Sequence, residues 1–188
     1  MHATDPSAAQ VAQAPVIANV TFAVEPGERC SMGDDSVDAV CVAQALHWFD
    51  RDAFFAECER VLRPGGVLVA WGYQDIEVPA AIAAQNAALQ REIAPYWPPE
   101  RADVDAAYAG YAWPFAPLAA PAFGLAADWP LPRLLAYFAS YSATRRCREA
   151  TGNDPVAAGE ADLAAAWGDP AATRTVRWPL FVHARRKP

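Results

Sequence analysis

The stretch from Val37 to Tyr73, VDAVCVAQALHWFDRDAFFAECERVLRPGGVLVAWGY, limits the fold more than any other part of the chain. Val37, Val40, Cys41 and Val42 form a short apolar run rich in β-branched residues. The turn-like Gly33-Asp34-Asp35-Ser36 precedes it and polar Gln44 follows, so it reads as a buried central strand. Asp50 is placed to cap a helix in which Phe54, Phe55, Cys58, Val61 and Leu62 recur at three- and four-residue spacing, which puts one face against a sheet. Pro64 disfavours helical backbone at the residue before it. Gly65-Gly66 then allow a tight reversal into Val67-Leu68-Val69-Ala70-Trp71, a second buried strand. Strand, helix and strand together predict a right-handed crossover within a parallel sheet.

On both sides of this unit the pattern predicts more α/β structure. Asp5 or Ser7 can cap a helix running through Gln10 and Ala14, Val20 to Val24 alternates as a strand, and Pro79 to Ala94 is an alanine-rich helix. Pro95-Tyr96-Trp97-Pro98-Pro99, Tyr108, Tyr111, Trp113 and Phe115 lack strong periodicity and read as a stiff aromatic lid, with Trp113 and Phe115 as pocket walls. Phe123 to Trp129 reads as a strand, and Leu131, Leu134, Leu135, Phe138 and Tyr141 as the buried face of a helix whose basic end carries Arg145, Arg146 and Arg148. A short helix is expected over Asp162–Trp167 and a closing strand over Thr175–Ala184, paired with the Phe123 strand. Arg185-Arg186-Lys187 reads as a solvated tail.

Composition excludes several classes. A chain of 188 residues, 54% hydrophobic and 20% charged, holds one sizeable core and reads as a single domain. A formal charge of −7 speaks against nucleic acid as a partner, because phosphate binding needs clustered cations. There is no apolar run of 18 residues and no basic start followed by an apolar core, so neither a membrane span nor a signal peptide is expected and the chain reads as cytoplasmic. Cys30, Cys41, Cys58 and Cys147 lack C-x-x-C spacing and read as reduced structural thiols, with no metal site. Hydrolase, zinc-protease, P-loop and G-x-G dinucleotide fingerprints are all missing.

SVDAVCVAQALHWF followed by RVLRPGGVLVAWGY resembles the fourth and fifth strands of class I S-adenosylmethionine-dependent methyltransferases. The similar branch is methyltransferase type 11, which acts on small molecules and includes trans-aconitate methyltransferase-like proteins. The resemblance implies a Rossmann-like α/β sheet with helical cap insertions. Residues 1–73 would be a partial cofactor-binding half, 74–122 and 130–173 cap or substrate segments, and 123–129 and 174–185 closing strands. It implies S-adenosylmethionine as cofactor and a small-molecule methyl acceptor, with a carboxylate as one candidate class. The alternative is a non-catalytic relic or partner-binding paralogue of the same fold.

Site residues follow from the same resemblance. Asp5 matches the acid that takes the ribose hydroxyls, while the residues alone equally allow a helix cap. Glu28-Arg29 match the acidic-small pair that meets adenine, and arginine there departs from the pattern. Ala43 and Gln44 match positions that line the cofactor. His47 reads as a general base or as a group that orients an acceptor oxygen, Trp48 as a pocket residue, and Arg145 as an anchor for an anionic substrate or a solvated helix end. The family begins with a strand and a glycine-rich loop that sit at the centre of the sheet order 3-2-1-4-5-7-6. Met1 already falls in the second strand, so the chain reads as N-terminally truncated, with an internal valine codon taken as the start and with impaired cofactor binding.

Overall fold

A computed structural model describes residues 1–188. Strand β1 (His2–Asp5) leads to Ser7, whose hydroxyl accepts the Gln10 N–H at 3.4 Å and caps the one-turn helix α1 (Ala8–Val11). β2 (Thr21–Val24) returns parallel to β1, with Asp5 opposite Val24. β3 (Val37–Ala43) and a 3-10 turn, Leu46–Trp48, come next. Asp50 then caps α2 (Arg51–Val61) by accepting the Ala53 N–H at 3.2 Å. β4 (Leu62–Tyr73) runs parallel to β3, Ala39 to Ala43 facing Val67 to Trp71.

The remaining elements are helical with three strands among them. α3 (Ala83–Ile93) is flanked by 3-10 turns, and the stretch expected to be a lid holds the short α4 (Arg101–Asp105) and β5 (Ala116–Leu118). β6 (Gly124–Trp129) precedes α5 (Leu131–Ala139), α6 (Ser142–Thr151), α7 (Pro155–Trp167) and the long β7 (Arg174–Arg186). Hydrogen-bonded neighbours are β1-β2 in one sheet and β3-β4-β7-β5 in another, with β6 also on β7. This is the order the family resemblance implies, with β1 and β3 not bonded to each other. No helix is long and apolar enough to cross a membrane.

The chain divides into two compact units. The first holds Met1–Gly72, Tyr108–Ala122 and Phe181–Pro188. In it α2 buries Phe54, Phe55, Cys58 and Val61, while Leu68 and Ala70 of β4 are fully covered. Both glycines of Arg63-Pro64-Gly65-Gly66 are needed, for different reasons. Gly65 has φ +80°, and a Cβ on Gly66 would stand 2.8 Å from the Arg63 carbonyl oxygen. The second unit holds Tyr73–Ala107 and Phe123–Leu180. Its core packs Ile82, Leu134, Phe138, Trp167, Val176 and Trp178.

Several expectations are corrected. β3 is not central: it pairs with β4 alone, and Ala39, Cys41 and Ala43, which share one of its faces, are exposed. The basic residues Arg145, Arg146 and Arg148 are not the end of the Leu131 helix but lie on α6. The Ser140 hydroxyl donates to the Tyr137 carbonyl at 2.6 Å and Tyr141 is extended, which separates α5 from α6. α7 starts at Pro155 rather than Asp162, because Asp154 accepts the N–H groups of Val156 and Ala157 and proline suits the first helical position.

The last correction concerns the C-terminus. Arg185 and Arg186 continue β7, and Lys187 exchanges backbone hydrogen bonds with Gly65 and Gly66 at 3.1 and 2.9 Å. Its ammonium donates to the carbonyls of Glu59 and Leu62, each at 2.6 Å, and to Asp35 at 2.8 Å. The sole lysine therefore shares in closing the carboxyl end of α2, where the ladder leaves oxygens without donors: it takes Glu59 and Leu62, and the N–H groups of Asp35 and Ser36 take Arg60 and Val61. Lys187→Met is expected to lower stability by roughly 1.5–3 kcal/mol, the range for hydrogen bonds to a charged group, whereas exposed Arg186→Ala should stay within about 0.5 kcal/mol. Urea midpoints compared at constant slope measure both, and equal midpoints would show that the lysine closes nothing.

Candidate functional site

In an open α/β sheet the carboxyl ends of parallel strands are where ligands bind, and the first unit presents two such ends. β1 ends in Asp5, half-buried, with one carboxylate oxygen accepting the Ser7 N–H at 2.7 Å. The side chain is therefore part of the turn into α1, as the capping alternative allowed. A carboxylate offers about four acceptor directions, so this bond orients the group without filling it.

The loop after β2 carries Glu28 and Arg29. Glu28 is half-buried and accepts the Asp50 N–H at 2.9 Å, which ties the loop to the start of α2. Arg29 points into solvent, and its backbone N–H donates to Pro26 at 3.4 Å. A second anchor lies further along the loop. Buried Glu57 of α2 accepts the Cys30 N–H at 2.8 Å and a two-pronged contact from Arg60, at 2.6 and 2.8 Å. Arg60 also reaches Asp34 at 2.7 Å. The Arg60 guanidinium, helped by the Cys30 N–H, holds the Glu57 carboxyl at a pKa of about 2 although burial opposes this. Between loop and helix lies an open depression of about 550 Å3 lined by Glu28, Arg29, Cys30, Glu57 and Arg60 among others.

At the end of β3, Ala43 is small and exposed opposite Trp71. Gln44 adopts a left-handed φ of +49°, a conformation that costs a residue with a side chain and turns the chain out of the strand. Its N–H still donates to Trp71 at 2.8 Å, and its amide oxygen lies so close to Gly72 that a Cβ there would come within 2.5 Å. In the following turn His47 is half-buried, and its Nδ1 is 3.0 Å from the hydroxyl of Tyr108. Tyr108 is 1% exposed, stacked on Tyr111 at 5.0 Å and met edge-on by Phe181.

The substrate candidates fall in different surroundings. Trp48 is 57% exposed, its ring 4.7 Å from that of His47. Trp113 stacks on His183 at 4.7 Å, touches Phe55 of α2 and lies under the Arg185 guanidinium, so it is packed between β7 and α2. Phe115 is buried. Arg145 belongs to the second unit, where it is exposed and lies 3.8 Å from Glu149 one turn along the same helix. The contact of Tyr108 with His47 and the Glu57–Arg60 pair both escaped the sequence reading. Tyr108 carried no signal for contact with a histidine 61 residues away, but the Glu57/Arg60 spacing of three on one helix was legible as a pair.

Comparison with known proteins gives a consistent result. Residues 1–70 match the family described as methyltransferase domain. A solved structure from Anaeromyxobacter dehalogenans, provisionally described as a type II methyltransferase, superposes with a TM-score of 0.91 at 40% identity, covering 98% of this chain and 79% of that one. A Dictyostelium discoideum protein provisionally named a methyltransferase is 28% identical over 142 residues, 73% of this chain and 54% of its own length. An uncharacterized methyltransferase of Mycobacterium tuberculosis is 51% identical over 49 residues, 26% of this chain and 20% of its own length. The chain thus spans about half the length of the first of these curated relatives, or less.

The Glu57 anchor has a pH signature. A carboxyl held low in the folded state contributes stability that is fully present above its ordinary value of 4.5 and is lost as pH falls through about 2. Glu57→Gln is expected to cost roughly 1–3 kcal/mol at neutral pH, with the gap from wild type narrowing between those two values. Chemical denaturation at pH 7, 4 and 2.5 checks it, and a gap independent of pH would rule out the ionic role.

Proposed function

The chain belongs to the class I S-adenosylmethionine-dependent methyltransferases, and from that membership we propose that it transfers a methyl group to a small-molecule acceptor. The observation that carries the reading is the pair of carboxylates, Asp5 and Glu28, each fixed by a backbone N–H in the segment that matches the family. These residues fit a nucleoside. The remaining acceptor capacity of Asp5 suits a vicinal diol, and that of Glu28 suits an exocyclic amine. Ala43 leaves room at the strand end, and the turn at Gln44 takes the chain out of the strand's path.

When bound, S-adenosylmethionine supplies a methyl group already activated on a sulfonium. The protein's own task is then to orient the acceptor and exclude water, with acid–base work secondary. His47 suits that task. The 3.0 Å contact of Nδ1 with the Tyr108 hydroxyl holds the imidazole in place just beyond the end of β3, and we assign it the role of orienting an acceptor oxygen or taking its proton.

We also propose that this 188-residue chain holds the cofactor weakly. Asp5 stands on the β1-β2 sheet and Gln44 follows β3 of the other, with no backbone ladder joining the two, so the groups meant to act together are less pre-organised. Calorimetric titration with S-adenosylhomocysteine tests the proposal. Weak binding is expected, lowered further in Asp5→Ala by roughly 1.5–3 kcal/mol, about tenfold or more. His47→Ala should keep the same affinity and lose turnover. Equal affinity in wild type and Asp5→Ala would remove Asp5 from the site, and complete absence of binding would favour the non-catalytic relative of the fold.

A further inference from the structure

A second cavity lies wholly within the second unit, open to solvent and about 510 Å3 in volume. The β6–β7 ladder forms one wall, with Trp178 opposite Leu125 and Trp129 at the end of β6. α5 forms another, presenting Arg133, Tyr137 and Ser140 at the spacing that lines up one helix face. Trp129, Tyr137 and Trp178 meet edge to face, with centroids 5.0 to 5.6 Å apart and planes inclined by 61 to 80°. Rings braced against one another in this way are ordered before any ligand arrives, so a flat body that packs against them meets little entropic cost.

The polar groups of this cavity have a definite sense. The Tyr137 hydroxyl oxygen accepts the Trp178 indole hydrogen at 2.8 Å and is also hydrogen-bonded to Tyr141. Its surroundings favour the neutral phenol, chiefly through burial, so it keeps a hydrogen to donate. Arg133 lies over the Trp129 ring at 5.6 Å, and none of the ion pairs of this unit takes up its charge. An aromatic corner by itself would also suit a cation; the Arg133 guanidinium at its edge supplies the charge that favours an anion, while the negative charge of Asp75 near the Tyr137 hydroxyl is paired with Arg101.

We propose that this cavity is a binding site for a flat, apolar carboxylic acid. Its body lies against Trp129, Trp178 and the rim residue Leu125, and its carboxylate is held by Arg133 and the Tyr137 hydroxyl. The site is built from one unit and does not rest on the methyl-transfer reading.

The test is calorimetric titration of the 188-residue protein with 2-naphthoate, without cofactor, repeated with the neutral 2-naphthamide and with Arg133→Met. Arg133 is exposed, and methionine keeps an apolar stem to lie over Trp129, so the variant should fold with an unchanged circular dichroism spectrum. Saturable one-to-one binding of the acid is expected, weaker by about tenfold or more for the amide and for the variant. Tyr137→Phe, which keeps the ring and removes the donor, should weaken the acid more than the amide. Equal affinity for acid and amide, or for wild type and Arg133→Met, would overturn the carboxylate contact. No saturable binding to the wild type would overturn the site, and tighter binding of a naphthyl trimethylammonium salt would overturn the assigned charge.

Discussion

Helix α2 ends with carbonyl oxygens that its own ladder leaves without donors, and the arrangement of the first unit depends on how they are met. Lys187 brings its ammonium to Glu59 and Leu62 while its backbone pairs with Gly65 and Gly66, so the end of the chain closes both the helix and the turn that follows it. That turn is tight enough to exclude a side chain at Gly66 and to require a positive φ at Gly65. The register of β4 on β3 shifts at this turn, from Val37 opposite Leu62 to Ala39 opposite Val67, and beyond it runs unbroken to Ala43 opposite Trp71, while the apolar face of α2 is buried. Charge at the opposite end is arranged in keeping with this. Asp50 caps the amino terminus, where an anion is favoured, and the lysine sits at the carboxyl end, where a cation is.

The same helix organises the candidate site. Its buried Glu57 holds the loop at Cys30, and the Asp50 N–H at its start holds the Glu28 carboxylate directly, so this candidate side chain is positioned by the helix at two points. Ion pairs of this kind add little where they are exposed. Glu57 is buried and receives the fork of Arg60 together with a backbone N–H, the geometry in which breaking the pair leaves a charge uncompensated. Placement of the loop and stability of the unit are therefore one problem, solved by one carboxylate.

What the sequence showed and what it hid follow from the range of the interactions. The strand, helix and strand of Val37 to Tyr73 were legible because their signals are local: an aspartate cap, apolar spacing, and proline with two glycines. The strand order followed once the family resemblance was in hand. Some local signals were passed over, such as Asp154-Pro155, a cap and first helical position that moves the start of α7 by seven residues from Asp162. Others were not local at all. Nothing in Arg185-Arg186-Lys187 tells a solvated tail from a strand whose lysine reaches back 128 residues to Glu59. Exposure of Cys41 and Ala39 likewise depends on what covers their face of β3, and apolar patterning alone reads the run as buried.

Tyr108 shows why site residues are harder to read than elements. Its ring is buried by stacking on Tyr111 and by the edge of Phe181, contacts that any core aromatic makes, and by those alone it would be packing. The 3.0 Å approach of His47 links its hydroxyl to the candidate site, because a buried phenol oxygen needs a partner and the imidazole nitrogen supplies one. The pairing acts in both directions. The ring cluster fixes Tyr108, Tyr108 fixes His47, and the histidine lies just beyond the strand that ends in Ala43 and the left-handed Gln44. The requirement this places on the sequence is packing that holds a ring still, and Tyr108, Tyr111 and Phe181 supply it.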